Sequence, residues 1–339
     1  AFQEFPIPNN NDAWMITAGP DGNMWFTQPG ANQIGRVTSD GVFDEFAIPT
    51  PASLPYGIAA GPDGNVWFVE NSANKIGRIT PAGVVTEFDI PTPASNAYNI
   101  VTGDDGNLWF TENGANTIGR ISPTGTIHEF EVPTTSSLPD GITAGPDGNV
   151  WFTEFSGNKV GRITPDGSFT EFSVPTAFAG PQGIATGADG NLWITEYAAS
   201  KVAQVTPEGV MVEFPVPNGA GSFPGVMSTG PDGNMWFTEK NSHKVGSVTT
   251  GITSAGRLPV LAGSGQVGLP LVCAADVWGM SYDTGVSWQR DGTLIAGQTG
   301  VSYTPTQSDL GSQISCMSSG TTTGMLTGLM AKSNLVTVV

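Results

Sequence analysis

Two histidines and a recurring set of carboxylates are the residues whose types suit acid–base or metal chemistry in this chain. His243 stands four residues after Glu239. An imidazole can take a proton near neutral pH, and a carboxylate can orient it or hold a cation, so these two are the candidate catalytic residues. Glu239 closes the string Trp-Phe-Thr-Glu, and the same place is held by Glu70, Glu112, Glu154 and Glu196, with Gln28 first in the series. Turned toward one axis, five carboxylates would concentrate negative potential and hold Mg²⁺ or Ca²⁺ through oxygen ligands. The competing reading is a strand-end residue hydrogen-bonded to the adjacent loop. A second recurring position reads Trp14, Tyr56, Tyr98, Asp140, Gln182 and Pro224. Its three aromatics suit stacking against a glycan, and Asp140 and Gln182 add polar contacts to the same ligand-binding set. Asp140 and Asn99 are also oxygen donors of the kind a calcium-dependent lactonase gathers. His128, beside Glu129, is expected on a solvent-facing strand.

These residues recur because the chain repeats. Asp-Gly-Asn-x-Trp begins at Asp21, Asp63, Asp105, Asp147, Asp189 and Asp232, at spacings of 42, with 43 at the last step. One unit parses into strands over 56–60, 66–70, 75–80 and 84–90, separated by Pro, Gly, Asn and Asp turns. Four short strands in about forty residues is the pattern of a propeller blade. Trp25, Trp67, Trp109, Trp151, Trp193 and Trp236 are expected to fill the space between blades. Glu-Phe also occurs six times, at Glu4, Glu45, Glu87, Glu129, Glu171 and Glu213, but it starts before the first Asp-Gly-Asn. The last repeat, ending near Val248, lacks one. AFQEFPIP is therefore expected to supply the outer strand of the last blade and close a six-bladed β-propeller. Arg36, Arg78, Arg120 and Arg162 are expected to pair with the fourth-strand glutamates.

The unit GPDGNVWFTE...NKVGRITPDG, complete over residues 145–167, resembles the repeat of the streptogramin B (virginiamycin B) lyase family, and the resemblance extends over residues 1–250. It implies a propeller that opens a cyclic depsipeptide by metal-assisted elimination at its ester, without hydrolysis. The implied site is a histidine just before the Gly-Ile of an inner strand, the glutamate of Trp-Phe-x-Glu, and a second histidine three residues later. Mg²⁺ would polarise the ester and an imidazole would remove the proton. Here the first position reads Trp14, Tyr56, Tyr98, Asp140, Gln182 and Pro224, and the last reads Ala31, Ala73, Ala115, Gly157, Ala199 and Ser242. Neither contains histidine; His243 falls one residue beyond. The family lyase also has seven blades. The expected function is therefore a secreted or surface-displayed binding or structural protein (an adhesin, appendage or tail-type component) that requires no cofactor. A metal-dependent C–O lyase and a propeller lactonase are the alternatives.

Composition narrows the classes further. Among 339 residues, 46 glycines, 26 prolines and only 12% charged residues describe an all-β chain of short strands and tight turns. A net charge of −18 repels a phosphate backbone, which excludes nucleic acid as a partner. No run of about eighteen apolar residues exists to insert in a membrane. After Gly251 the repeat stops. Residues 251–257 read as a linker and 258–339 as a second domain, in which Cys273, Trp288 and Cys316 resemble the Cys, Trp, Cys series of an immunoglobulin-like β-sandwich. Ile314, where antibody domains carry tyrosine, makes the bacterial and phage modules the better match. A Cys273–Cys316 disulfide is expected, with two free buried thiols as the alternative. The disulfide and the start at Ala1 lead to the expectation of a mature exported chain with its leader removed, whose partner is an extracellular ligand, a glycan or a second copy of itself.

Overall fold

Turn chemistry fixes where each strand of the repeat ends. The computed structural model describes residues 4–8, 11–217, 219–250, 260–274, 283–321, 329–332 and 335–339. In the first repeat Asp21 Oδ1 accepts from the Asn23 amide at 3.2 Å and from the Trp25 indole at 2.9 Å, while the Asn23 side chain donates to Oδ2. Gly22 between them sits at φ 77°, a left-handed value that glycine adopts without strain. The same bonds recur at Asp63, Asp105, Asp189 and Asp232. Asp-Gly-Asn-x-Trp is thus a turn that anchors an indole.

Five antiparallel four-stranded sheets and a sixth of three strands follow one another in chain order. The first is β1 (Ile16–Ala18), β2 (Met24–Gln28), β3 (Gln33–Val37) and β4 (Phe43–Ala47); the second is β5 (Pro55–Ala60), β6 (Val66–Glu70), β7 (Lys75–Ile79) and β8 (Val85–Asp89). β9 (Ala97–Thr102), β10 (Leu108–Glu112), β11 (Thr117–Ile121) and β12 (Ile127–Glu131) form the third, and β13 (Pro139–Ala144), β14 (Val150–Glu154), β15 (Lys159–Ile163) and β16 (Phe169–Ser173) the fourth. The fifth is β17 (Pro181–Thr186), β18 (Leu192–Glu196), β19 (Lys201–Val205) and β20 (Met211–Pro215); the sixth is β21 (Pro224–Thr229), β22 (Met235–Glu239) and β23 (Lys244–Val248). Among the described residues the chain is all-β, helical only in 3₁₀ turns, and no helix is long and apolar enough to cross a membrane.

The chain divides into two compact units, one of Ala1–Ala144, Gly148–Ser173 and Gly180–Gln182, the other of Gly145–Asp147, Val174–Ala179 and Gly183–Val339. In the first unit, Trp25 and Ile34 of one sheet pack against Ile58, Val66, Phe68 and Ile79 of the next. Trp109 and Ile118 meet Val150, Phe152 and Ile163 in the same way. Within a sheet, Phe68 lies over Gly77 so closely that a Cβ there would meet the ring at 2.1 Å. The fifth sheet carries the compensating exchange, Ile194 opposite Ala203. In the second unit Trp193, Phe214, Met235 and Phe237 make one core.

The C-terminal portion of that unit holds two further sheets. One contains β24 (Val260–Ala262), β25 (Leu271–Ala274) and β28 (Ser302–Tyr303); the other contains β26 (Asp283–Arg290), β27 (Thr293–Thr299), β29 (Gln313–Thr321), β30 (Leu329–Lys332) and β31 (Val336–Thr337). A disulfide joins Cys273 of β25 to Cys316 of β29, with Cα atoms 6.1 Å apart. Fully buried Trp288 packs in the same core and donates its indole N–H to the Gly300 carbonyl.

Three expectations are corrected. The sixth sheet has three strands among the described residues, and residues 4–8 join no strand. Instead the Phe5 ring lies over Gly41, as Phe46 lies over Gly83 and Phe88 over Gly125. Relative to the first sheet, Phe5 takes the place of a preceding sheet's outer phenylalanine. Trp236 is 41% exposed, whereas Trp25, Trp67, Trp109, Trp151 and Trp193 are at 0 or 1%. Register does not set the arginines opposite the fourth-strand glutamates as expected, for each glutamate lies opposite the preceding glycine, as Glu87 opposite Gly77. Each guanidinium instead stacks on its sheet's tryptophan and outer phenylalanine, Arg78 at 5.4 and 5.6 Å from Trp67 and Phe88. The expected linker, 251–257, lies outside the described residues.

Candidate functional site

The first strands β5, β13, β17 and β21 begin with proline and β9 with alanine, and the residue near each strand's start sets the site. Tyr56, Tyr98, Asp140 and Gln182 follow Pro55, Ala97, Pro139 and Pro181 at the starts of β5, β9, β13 and β17; Trp14 precedes β1. Threonines on the second strands fix their backbones. Thr27 Oγ1 donates to the Tyr56 carbonyl at 3.0 Å, Thr111 to that of Asp140 at 2.9 Å, and Thr153 to that of Gln182 at 2.7 Å. Each threonine also accepts an amide from its own sheet, as Thr153 does from Gly141. Tyr98 has Val69 at the matching place, and there Gly57 permits close approach: a Cβ on it would meet the Tyr98 carbonyl at 2.8 Å.

The side chains make a continuous arc. Trp14 and Tyr56 have ring centroids 5.7 Å apart, and Tyr56 and Tyr98 are edge to face at 5.4 Å. Burial, and then the charge of Asp140, pushes the Tyr98 phenol pKa up. Asp140 is hydrogen-bonded to Gln182, and burial raises its carboxyl to about 6 despite that bond. Polarity and enclosure change along the arc: Trp14 is 58% exposed, while the tyrosines, Asp140 and Gln182 are half-buried. The sixth sheet adds no side chain. Pro224 is not at the position expected of it, because it pairs with Glu239 as Pro55 pairs with Glu70, which sets Gly225 one residue on at the equivalent place.

The glutamates do not join this arc. Glu70, Glu112, Glu154 and Glu196 are fully buried at the ends of their own strands. Each faces the glutamate of its own sheet's Glu-Phe motif: Glu87, Glu129, Glu171 or Glu213. Burial first, and then that like charge in the case of Glu70, pushes the carboxyl up to about 8; Glu112 and Glu196 reach about 8 and Glu154 about 7. The outer glutamates are held by threonines, Glu87 accepting from the Thr50 amide and hydroxyl at 2.8 Å each. Gln28 shows what the buried position demands, for its amide donates to Glu45 at 3.2 Å. At Glu70, Glu112 and Glu196 a protonated carboxyl would supply the equivalent donor. Sequence reasoning singled out the inner glutamates and missed these partners; the recurrence of Pro-Thr 37 residues before Glu87, Glu129, Glu171 and Glu213 was the available signal.

His243 is exposed, at φ 52° in the turn between β22 and β23. Asn32, Asn74, Asn116, Asn158 and Ser200 hold the same left-handed position in the other sheets. Glu239 is 4% exposed, so the two residues of this pair occupy different environments. His128 is exposed on β12, opposite Arg120.

The model of the virginiamycin B lyase family matches residues 1–178 and 142–285. The chain belongs to that family. Among solved structures, a catalytically inactive histidine-to-alanine variant of virginiamycin B lyase from Staphylococcus aureus with quinupristin is 42% identical, at a TM-score of 0.68 over 71% of this chain and 82% of that one. Selenomethionine-substituted virginiamycin B lyase from Staphylococcus aureus is 36% identical, with a TM-score of 0.67 over 80% of this chain and 94% of that one. A putative gluconolactonase at 17% identity and TM-score 0.51, covering 72% and 90% of the two chains, shares the fold. No match is found among curated proteins.

The metal that the family resemblance implies does not fit the donors present. Among the described residues no three His, Cys, Asp or Glu side chains come together as a cation site. The implied histidine positions hold other residues, and Glu70, Glu112, Glu154 and Glu196 each face a glutamate of their own sheet and do not converge on one another.

Proposed function

We propose that the arc of Trp14, Tyr56, Tyr98, Asp140 and Gln182 binds the class of ligand on which this family acts, a cyclic peptide closed by an ester. Family membership supports the ligand class, and the contiguity of the five side chains supports the place. Asp140 carries the reading. It stands at the family's histidine position, and a carboxylate titrating at about 6 can accept a proton at neutral pH. Elimination would transfer a carbon-bound proton of the substrate to Asp140 while the ester C–O bond breaks and the carboxylate leaves. The product would be an isomer of the substrate.

The test is incubation of the protein with quinupristin, followed by chromatography and mass spectrometry. An opened ring of unchanged mass is the expected result, lost in Asp140→Asn. Addition of one water would mean lactone hydrolysis instead. Binding without turnover would favour the second reading, a binding module without lyase chemistry, which the missing histidines support. An unbound, unchanged peptide would refute both.

The wider architecture is proposed on the same footing. Six Asp-Gly-Asn turns and six Glu-Phe motifs support a six-bladed propeller over 1–250, with 251–257 as linker. Two bridged sheets with buried Trp288 support an immunoglobulin-like domain over 258–339. The disulfide supports a secreted or surface location.

A further inference from the structure

Asp140 is a carboxylate beside Tyr98, with no cation partner among the described residues. Its hydrogen-bond partner is the neutral amide of Gln182, and among the described residues no lysine, arginine or histidine contributes to its electrostatics. Two other partly enclosed carboxylates of the same unit are paired with cations: Asp44 with Arg36 at 2.6 Å and Glu171 with Lys159 at 2.7 Å. The carboxylate therefore keeps an uncompensated charge at the buried end of the arc. On one side Asn99 donates to the Asp140 backbone carbonyl at 3.3 Å, and Thr111 donates to the same oxygen, so that carbonyl is already engaged and the side chain is the acceptor left for a ligand.

The rings lead away from that charge, from half-buried Tyr98 and Tyr56 to exposed Trp14. An aromatic face carries negative electrostatic potential, so rings and carboxylate attract the same sign of charge. We propose that the arc recognises a cationic ammonium group, seated against Tyr98 and the Asp140 carboxylate, with the rest of the ligand running over Tyr56 toward Trp14. This rests on the arc being the ligand site and specifies the chemistry it selects in the binding-module reading, where Asp140 pairs with the ligand's charge instead of taking a proton from it. The ligand class is an amine-bearing molecule, tertiary or quaternary, whose charge is shielded by carbon and loses little hydration on entering between rings. A protein of net charge −18 draws such cations toward its surface.

The test is calorimetric titration of the full chain with benzyltrimethylammonium and with benzyl alcohol as its neutral counterpart. The ammonium is expected to bind at least about tenfold more tightly. Asp140→Asn should abolish that preference, and Tyr98→Ala should weaken the ammonium, while Tyr98→Phe, which keeps the ring, should stay within about twofold of the parent. Should Asp140→Asn fail to fold, the parent supplies the same readout, since binding should weaken as pH falls through about 6 and Asp140 takes its proton. Equal binding of the two probes, no binding of either, or an unaltered preference in Asp140→Asn overturns the proposal; so does selective binding of a methyl glycoside in place of the ammonium. Ammonium binding in a protein that ignores ester-closed peptides would refute the function proposed above and leave this inference standing. Peptide binding indifferent to the ligand's charge would do the reverse.

Discussion

Replacing Glu70 by glutamine should stabilise the protein at neutral and alkaline pH. The buried carboxyl keeps its proton to about 8, against 4.5 for a free side chain, because burial and the facing Glu87 disfavour its charge. The folded state thus binds a proton that the unfolded chain releases. That sign makes the contribution of Glu70 fully favourable below about pH 4.5, and it is lost progressively as pH rises toward 8. At pH 7 the difference of about 2.5 units sets a ceiling of about 3.4 kcal/mol. Relaxation of the surroundings around an ionised carboxyl limits the cost of its charge, so about 1–2 kcal/mol is expected. Glutamine carries the required donor permanently, as Gln28 does toward Glu45. Thermal unfolding across pH 4 to 9 measures this: Glu70→Gln should melt roughly 2–4 °C above the parent at pH 8 and lose the advantage near pH 4.5. A variant less stable than the parent at pH 8, or a gain independent of pH, would refute the reasoning.

Three other substitutions probe the repeat and its exceptions. Asn74→Ala removes two donors to the Ile90 and Thr92 carbonyls and the acceptor of Ser95, at a left-handed residue, and should cost about 2–4 kcal/mol in denaturant titration. His243→Asn installs the residue that four of the other sheets use there; it should add about 0.5–1 kcal/mol and leave ligand binding and turnover unchanged, the latter a direct check on His243 as catalyst. Replacing Cys273 and Cys316 by alanine opens a sequence separation of 43 residues. The loss should be about 3–4 kcal/mol, with hydrogen exchange rising in β25, β26 and β29 before the repeat sheets.

Much of the fold was legible because each repeat states its local rules in sequence. Proline, glycine and asparagine mark the turns, and a glycine opposite phenylalanine reads as a packing pair even where the fifth sheet exchanges it for Ala203 and Ile194. Relations between repeats were harder. The Thr50–Glu87 clamp and the Thr27–Tyr56 bond join different sheets, and neither shows within one unit. The same limit explains the glutamates: Glu70 recurs in register whether it faces an axis or a neighbouring carboxyl, and only packing tells which. Pro224 was set one residue early because the 43-residue step leaves the sixth repeat out of phase. The arc was legible as a row of equivalent positions, whereas the lone charge of Asp140 depends on what does not pack beside it.

The central claim is that the arc is where this chain binds its ligand. Co-crystallisation with an ester-closed cyclic peptide tests it most directly. The account predicts ordered ligand density across Trp14, Tyr56 and Tyr98, with a ligand group within hydrogen-bond distance of Asp140. A peptide bound beside His243 and Glu239, with the arc still solvated, would contradict it.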